Sequence, residues 1–294
     1  MTSNTKRPPT LLTLAKRCVK DEQLFGAGDR VMVACSGGPD SMALLHVLAL
    51  MRKQRKHEVI AAGIDHGLRQ EAVAELHLVA RVAKEHDIAF AKTKVNVKEG
   101  GNLQERAREA RHEALAKAAK QADATHIALG HTADDRAETV LLRIVRGTGP
   151  KGLAAMPAVA PPVVGDVPLI RPLVGARRRD VMAHLRRHGV PWAMDPSNFD
   201  SRFMRVRVRR EVLPLLEDLS GGVVEHLCAL ADQAGESVRA ADGDDPLEGL
   251  SRAQRDALKR AIAQRKGGST VRVSGGKDLR VAFFEGTPVV FVPE

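Results

Sequence analysis

Residues 30–41 read RVMVACSGGPDS, and MALLHVLALMR follows at 42–52. Arg30–Cys35 is a short apolar run closed by turn residues, which reads as a buried strand. Leu44, Leu45 and Leu48 recur at helical spacing, so Ser41–Arg52 reads as a helix. Between the two, Gly37 and Gly38 carry no side chain, so the backbone can turn sharply and bring its N–H groups against phosphate oxygens. The helix aims its positive dipole end at the same place, and Ser36 and Ser41 add hydroxyl donors. A strand, a glycine loop and a helix N-terminus in that order form the opening unit of an α/β sheet built to hold an anion.

The alternation continues outward from that unit. Val59–Ile64 reads as a second strand, Glu71–His86 as a helix, Ile88–Val97 as containing a third strand, and Thr125–Gly130 as a fourth. Asn102 is a candidate N-cap for a helix through Ala122, and Thr132 with Asp135 gives a capping signal for a helix ending near Arg146, closed by Gly147. This repetition predicts a Rossmann-like parallel sheet with helices on both faces. Residues 150–170 read as a long loop, Arg177–His188 as a helix stopped at Gly189, and Gly221–Ala241 as another. Asp242-Gly243-Asp244-Asp245-Pro246 is the best linker candidate. Beyond it come a helix at Arg252–Lys266 and short strands at Thr270–Val273, Leu279–Phe284 and Val289–Val292. Ser274-Gly275-Gly276 repeats the S-G-G triplet, but no helix follows it, so it reads as a hairpin turn. The expected organisation is a catalytic nucleotide-binding domain at 1–215, a helical connector and linker at 216–245, and a small C-terminal α+β piece at 246–294.

Composition bounds the partners. The chain has 294 residues, 44% apolar and 28% charged, which describes a globular protein rather than a disordered one. Seven Phe, one Trp and no Tyr argue against an RNA surface made of stacked rings and leave electrostatic binding open. The net charge is +10, and residues 171–210 concentrate it, with eleven Arg, no Lys and three acids. Such a block suits a polyanion or, alternatively, a solvated arginine-rich surface. Cys18, Cys35 and Cys228 lie far apart with no C-x-x-C pair, which fits a reducing cytoplasm and disfavours a zinc knuckle or redox dithiol. Cys35 ends a buried strand and reads as core. The basic N-terminus lacks the apolar core of a signal peptide, and no stretch has the length of a membrane span.

Several residues stand where chemistry is expected. Asp40 sits in the anion loop, where a bare carboxylate would repel phosphate; it makes sense as a helix cap or as a ligand to a divalent cation. Asp65, His66 and Gly130 follow the ends of strands, where ligands of open parallel sheets bind. His131, Asp134, Asp135 and Glu138 cluster after the fourth strand, with Asp134 and Glu138 on one helix face. These carboxylates suit Mg²⁺ or an ammonium group, or they cap the helix, Asp135 above all. Arg108 and Arg111 are helical neighbours that could meet a polyphosphate or form a solvated face.

Ser36-Gly37-Gly38-Pro39-Asp40-Ser41 matches the S-G-G-x-D-S signature of the PP-loop ATP pyrophosphatases. Within that superfamily the chain resembles the tRNA(Ile)-lysidine synthase family from about Arg30 to about Leu216. The resemblance runs through Asp65-His66-Gly67-Leu68-Arg69, Gln104–Arg108 with Arg111, Gly130–Asp135, Ala137-Glu138-Thr139, Arg143, Arg146–Gly149, Trp192, Asp195-Pro196-Ser197-Asn198 and Arg205–Arg209. It implies an adenine nucleotide alpha hydrolase-like fold, ATP as co-substrate with Mg²⁺, and two further substrates: L-lysine and the tRNA(Ile) that carries a CAU anticodon. The implied reaction has two steps. The C2 oxygen of the wobble cytidine attacks the α-phosphate of ATP and releases pyrophosphate. The lysine ε-amine then attacks C2 and AMP leaves. By the resemblance Ser36, Gly37, Gly38, Pro39, Asp40, Ser41, Asp65, His66, Gly130 and His131 hold ATP, and Asp40 helps hold Mg²⁺. Asp40, Arg111, Asp134, Asp135 and Glu138 serve the chemistry, the acidic group as base for the lysine amine. Arg177, Arg178, Arg202, Arg205, Arg207 and Arg209 hold the tRNA. Assembly as a homodimer stays open.

Three rival functions remain on the sequence. A PP-loop tRNA thiolase shares the adenylation but needs paired cysteines, which the spacing here does not offer. An amidotransferase-type synthetase needs an ammonia source, and no N-terminal cysteine nucleophile is present. A non-catalytic RNA-binding protein on a degenerate nucleotide fold would have no need of an intact loop and acidic cluster.

Overall fold

The computed structural model describes residues 8–65, 71–95, 103–194 and 202–242, together with three strands at 270–272, 278–284 and 287–291. In chain order the elements are α1 (Leu11–Asp21), β1 (Arg30–Cys35), α2 (Pro39–Arg55), β2 (Glu58–Asp65), α3 (Glu71–Glu85), β3 (Ala89–Lys94), α4 (Leu103–Gln121), β4 (His126–Ala128) and α5 (Ala133–Val145). Then come α6 (Pro150–Leu153), β5 (Val159–Ala160), β6 (Leu169–Ile170), α7 (Arg178–His188), α8 (Met204–Arg207), a π-helical turn (Val208–Val212), α9 (Leu213–Leu219) and α10 (Val223–Asp242). The chain divides into two compact units, residues 1–233 and 234–294. In the second, β7 (Thr270–Arg272), β8 (Asp278–Phe284) and β9 (Thr287–Phe291) form an antiparallel sheet in chain order. The Asn102 cap, the 195–198 motif, most of the linker, the 252–266 helix and the S-G-G turn fall outside the described residues.

The first unit is built on a six-stranded sheet in the order β3-β2-β1-β4-β6-β5, parallel except for β5 at the edge. Alternation along β1 explains why both faces are covered. Val31, Val33 and Cys35 enter one apolar cluster with Leu11, Ala15 and Val19 of α1, Leu44 and Leu48 of α2, Val79 of α3 and Leu185 of α7. Met32 points the other way, into a cluster with Leu115 and Ala119 of α4. The core is therefore two apolar layers with the sheet between them.

Three segments differ from expectation. Residues 150–170 are not wholly loop, because β5 and β6 extend the sheet past β4. An additional helix, α1, is capped by Thr10, whose hydroxyl accepts from the Thr13 N–H at 3.2 Å. Its buried residues recur every four positions. Residues 204–219 form a nearly continuous helical run with a π turn inside it.

Helices α2 and α7 meet through histidines. His46 Nδ1 and His184 Nε2 lie 2.8 Å apart, both side chains buried, with the His86 and His188 rings about His46 at 4.9 and 5.0 Å between centroids. Burial, then the neighbouring His184, His86 and His188, press His46 down to about 4; burial, His188 and Arg187 press His184 to about 4 as well. An unfolded histidine titrates near 6.5. Stability from this pair is thus full above pH 6.5 and is lost as pH falls toward about 4, where the unfolded chain binds more protons. The pair's own share of this is a drop in melting temperature of roughly 5 °C between pH 7.5 and 5, read as the difference between the unaltered protein and His46→Gln. His46→Gln should flatten that dependence, and an equally steep profile in the variant would exclude the pair as its cause.

Candidate active site

The chain leaves β1 toward β2 and β3 on one side and returns to β4 on the other, so a topological switch point lies between β1 and β4. Ligands of open parallel sheets bind outside the strand ends at such points. Ser36–Ser41 follows β1, Gly130–Asp135 follows β4, and the two loops touch. A Cβ on Gly130 would stand 2.9 Å from the Asp40 carbonyl and 3.0 Å from the Ser41 nitrogen, so only glycine permits the approach.

The loop's own side chains fix its shape. Gly37 has φ +80°, and a Cβ there would press against Glu75 at 2.9 Å. The Ser41 hydroxyl donates to the Gly38 carbonyl at 3.0 Å and accepts from the Ser36 N–H at 3.2 Å; the Gly38 N–H donates to Ser36 Oγ at 3.4 Å. Pro39 occupies the first helical position of α2, so the N–H groups of Asp40 and Ser41 precede the helical ladder and have no acceptor within it. The Ala193 N–H, beyond α7, donates to the Gly37 carbonyl at 2.9 Å and ties that segment to the loop.

Asp40 is held from one side. Its Oδ2 accepts from Arg178 Nη2 at 3.3 Å, while its Oδ1 is buried without a hydrogen-bond partner among the described residues. Burial pushes the carboxyl up to about 6, opposed by Arg178 and reinforced by Asp135. Gly38, not Asp40, stands at the N-cap of α2, so the carboxylate is not the cap. Among the described residues no group of three or more His, Cys, Asp or Glu gathers around a cation site. A lone buried carboxylate oxygen nevertheless fits Mg²⁺ of the kind bound through one carboxylate and substrate phosphates.

The acidic cluster separates into different duties. Asp135 caps α5: its Oδ2 accepts from the Thr132 N–H at 3.0 Å and from the Thr132 hydroxyl at 2.9 Å. Its Oδ1 accepts from Arg205 at 3.1 Å and Arg209 at 3.3 Å. Burial opposes this charge, but Arg205 and Thr132 overcome it and hold the carboxyl below its ordinary range. Glu138 is fully buried and accepts from Arg205 Nε at 2.7 Å and from Arg209 Nε and Nη2 at 2.5 and 2.9 Å. Asp134 accepts from the Arg178 N–H at 2.7 Å and from Arg177 Nε at 3.3 Å. The capping alternative for Asp135 is the observed one.

The arginine block faces two ways. Arg177 reaches Asp134, Glu217 and Glu225, Arg178 reaches Asp40, and Arg205 and Arg209 reach Asp135 and Glu138. Arg171 is buried, donating to His131 Nδ1 at 3.2 Å and to the Pro157 carbonyl at 2.7 Å. The exposed members are Arg179, Arg186, Arg187, Arg202, Arg207 and Arg210. Of the six arginines expected to meet tRNA, Arg177, Arg178, Arg205 and Arg209 reach carboxylates of the site, Arg205 while still 41% exposed, and Arg202 and Arg207 are exposed, Arg207 beside Glu211. The carboxylates are the physical reason: a guanidinium this close to buried acids is held by them. These pairings carried no local signal, because the partners are far apart in the chain.

Of the remaining candidates, Asp65 ends β2 and Arg111 lies exposed on α4, while His66 is outside the described residues. A cleft of about 150 Å³ opens beside Asp134, Glu138 and Glu217, with Arg177, Arg178 and Arg209 around it and an apolar wall of Leu213, Pro214 and Val224. Leu213 and Pro214 come from the helical run that sequence patterning missed, and Val224 from α10. The thiols stand apart from this chemistry. Burial pushes Cys18 and Cys35 up to about 12 and Cys228 to about 11, so none is a thiolate at neutral pH.

Comparison with known proteins agrees with this geometry. Residues 12–216 match a family model described as a PP-loop domain. The tRNA(Ile)-lysidine synthase of Thermobifida fusca is 37% identical over 280 residues, covering 87% of this chain and 83% of that protein. Those of Symbiobacterium thermophilum and Novosphingobium aromaticivorans are 39% and 41% identical, covering 78% and 66% of this chain. The chain spans 48% and 59% of those two proteins' own lengths, about half of the curated relatives it matches there. Among solved structures, the U34-tRNA thiolase NcsA from Methanococcus maripaludis with its [4Fe-4S] cluster superposes with a TM-score of 0.64 at 18% identity, covering 76% of this chain and 78% of that one, which shows a common fold. The loop after β1, the acidic helix after β4 and these matches together assign the chain to the tRNA(Ile)-lysidine synthase family of PP-loop proteins.

Proposed function

We propose that the chain ligates lysine to C2 of the wobble cytidine of a CAU-anticodon tRNA(Ile), through an adenylated base, with release of pyrophosphate and then AMP. The observation that carries the reading is the contact of two loops at one switch point: the anion loop after β1 and the loop that starts the acidic helix α5. Membership of the family supports the same substrates.

The residues divide the work as follows. First-turn N–H groups of α2 and the Ser36 hydroxyl receive the β- and γ-phosphates, whose charge grows as pyrophosphate leaves. Asp40 Oδ1 would hold Mg²⁺ against those phosphates, and the ion supplies Lewis-acid neutralisation of the leaving group. The cleft beside Asp134, Glu138 and Glu217 suits an alkylammonium, with the partly exposed Asp134 and Glu217 for the charged head and Leu213, Pro214 and Val224 for the stem. Asp134 is the carboxylate we assign to take the proton that must leave the lysine amine before it attacks. Contact with the tRNA backbone falls to the exposed arginines, Arg179, Arg202 and Arg207 among them, which makes binding salt-sensitive. The raised thiols disfavour the sulfur-transfer alternative, because a persulfide relay starts from a thiolate.

The test is incubation of the protein with ATP, radiolabelled lysine and a CAU-anticodon tRNA(Ile) transcript. Label is expected in the tRNA, with one pyrophosphate released for each lysine joined. Pyrophosphate release without lysine incorporation would refute the ligation and leave ATP activation standing.

A further inference from the structure

The Asp40–Arg178 pair is engaged on one side only. A carboxylate and a guanidinium that serve each other meet as a two-pronged fork. Here one contact joins Asp40 Oδ2 to Arg178 Nη2 at 3.3 Å. Both leftover atoms, Oδ1 of Asp40 and Nη1 of Arg178, are buried, and neither has a hydrogen-bond partner among the described residues. Most buried polar atoms in folded proteins are paired, and two complementary exceptions side by side are what a site for a bound ion or ligand leaves open. The leftovers are complementary in kind: a bare acceptor suits a cation, and a bare donor suits an anion. A metal-bound phosphate presents both at once.

Position selects which phosphate. Asp40 lies in the first turn of α2 within the anion loop, and Arg178 is the first residue of α7. The Arg178 N–H is pinned to Asp134 at 2.7 Å, so the start of α7 is fixed beside the loop. A residue holding the tRNA backbone needs an exposed head, as Arg179 has; Arg178 has its spare nitrogen buried.

We propose that Arg178 is a nucleotide-phosphate ligand: it balances Asp40 in the free protein and donates through Nη1 to a phosphate oxygen of Mg-ATP when the nucleotide enters. This rests on the reading of the loop as an ATP site. It takes Arg178 out of the tRNA-binding set and divides the arginine block by role, inward members for the active site and outward members for the polyanion.

The test uses the full chain and equilibrium binding of the Mg²⁺ complex of α,β-methylene-ATP, which cannot release pyrophosphate, beside filter binding of the tRNA transcript. Arg178→Gln is expected to weaken the analogue at least tenfold and leave tRNA affinity unchanged. Arg179→Gln, one residue along and exposed, should do the reverse: unchanged analogue affinity and a smaller salt dependence of tRNA binding. Analogue affinity equal to the unaltered protein's in Arg178→Gln, or a loss confined to tRNA, would overturn the proposal. If Arg178→Gln melts early, Arg178→Lys keeps the charge on Asp40 and removes the fork; a several-fold loss of analogue affinity is expected there, and no loss overturns the proposal. Failure of the unaltered protein to bind the analogue would instead sink the ATP reading itself, and this inference with it.

Discussion

Replacing Asp40 with Asn is expected to stop pyrophosphate release while leaving the fold as stable as before, or more so. The functional half follows from the site. Asn keeps the size of the side chain and removes the charge that would hold a cation against the leaving phosphates. Loss of one such electrostatic partner costs about 10²–10³ in rate. The stability half follows from the titration of the group. Burial raises the Asp40 carboxyl from its ordinary 3.8 to about 6. A raised folded-state value means that the folded chain binds the proton more tightly than the unfolded one. The stability tied to this group is full below pH 3.8 and is lost as pH rises through about 6. At pH 7 the ionised, half-satisfied carboxylate is a cost to the fold, and Asn removes it. A gain of about 1–2 kcal/mol is expected, or a few degrees in melting temperature. In the unaltered protein at sub-saturating Mg-ATP, the rate of pyrophosphate release should fall away below about pH 6, as Asp40 of the free protein takes up its proton. A variant that releases pyrophosphate at the normal rate, or an acid limb that stays in place, would remove Asp40 from the reaction. A marked drop in melting temperature would make it a structural residue instead.

Asp40 also shows why the geometry of the loop after β1 was legible in sequence. Everything that shapes it is local: the apolar run of β1, two glycines, Pro39 at the start of a helix, and the Ser36 and Ser41 hydroxyls that bond back to the same loop. The Thr132–Asp135 capping box was legible for the same reason, with both partners three residues apart. The other end of the site was not. Arg205 and Arg209 meet Glu138 across 67 and 71 residues of chain, and a basic run with few apolar positions looks like surface from its composition alone. Only Val206, Val208 and Leu213 of that run enter the core, and the π turn at Val208–Val212 breaks the 3.6-residue period that would have announced a helix. Strands β5 and β6 are two residues each, too short for any periodicity to register. The first helix, by contrast, offered a readable signal in Thr10 followed by Leu11, Ala15 and Val19.

The hidden end of the site makes the largest demand on stability, and Glu138 concentrates it. Its carboxylate is wholly inaccessible and accepts from two guanidinium groups, Arg205 at 41% and Arg209 at 25% side-chain exposure. Glu138→Gln keeps the volume and removes the charge. Two cations then remain against Asp135 alone, one of whose oxygens already caps α5. Breaking one member of a buried pair costs about 3–5 kcal/mol, and the partial exposure of the arginines places this case at the lower end, about 3 kcal/mol. For a folded unit of this size that is a fall in melting temperature of about 6–12 °C. Arg207→Gln is the matched control. Its exposed contact with Glu211 is a helical surface pair, worth a few tenths of a kcal/mol at most, about 0.3–0.5, and its melting temperature should hardly move. The double variant Glu138→Gln with Arg209→Gln should be less damaged than the sum of its two singles, because the second change removes a charge that the first left unpaired. Additive losses would mean that Glu138 and Arg209 are not coupled. A Glu138→Gln variant melting within 2 °C of the unaltered protein, set against the fall of about 6–12 °C expected, would mean that the arginines are solvated rather than held, and they would return to the set available for tRNA.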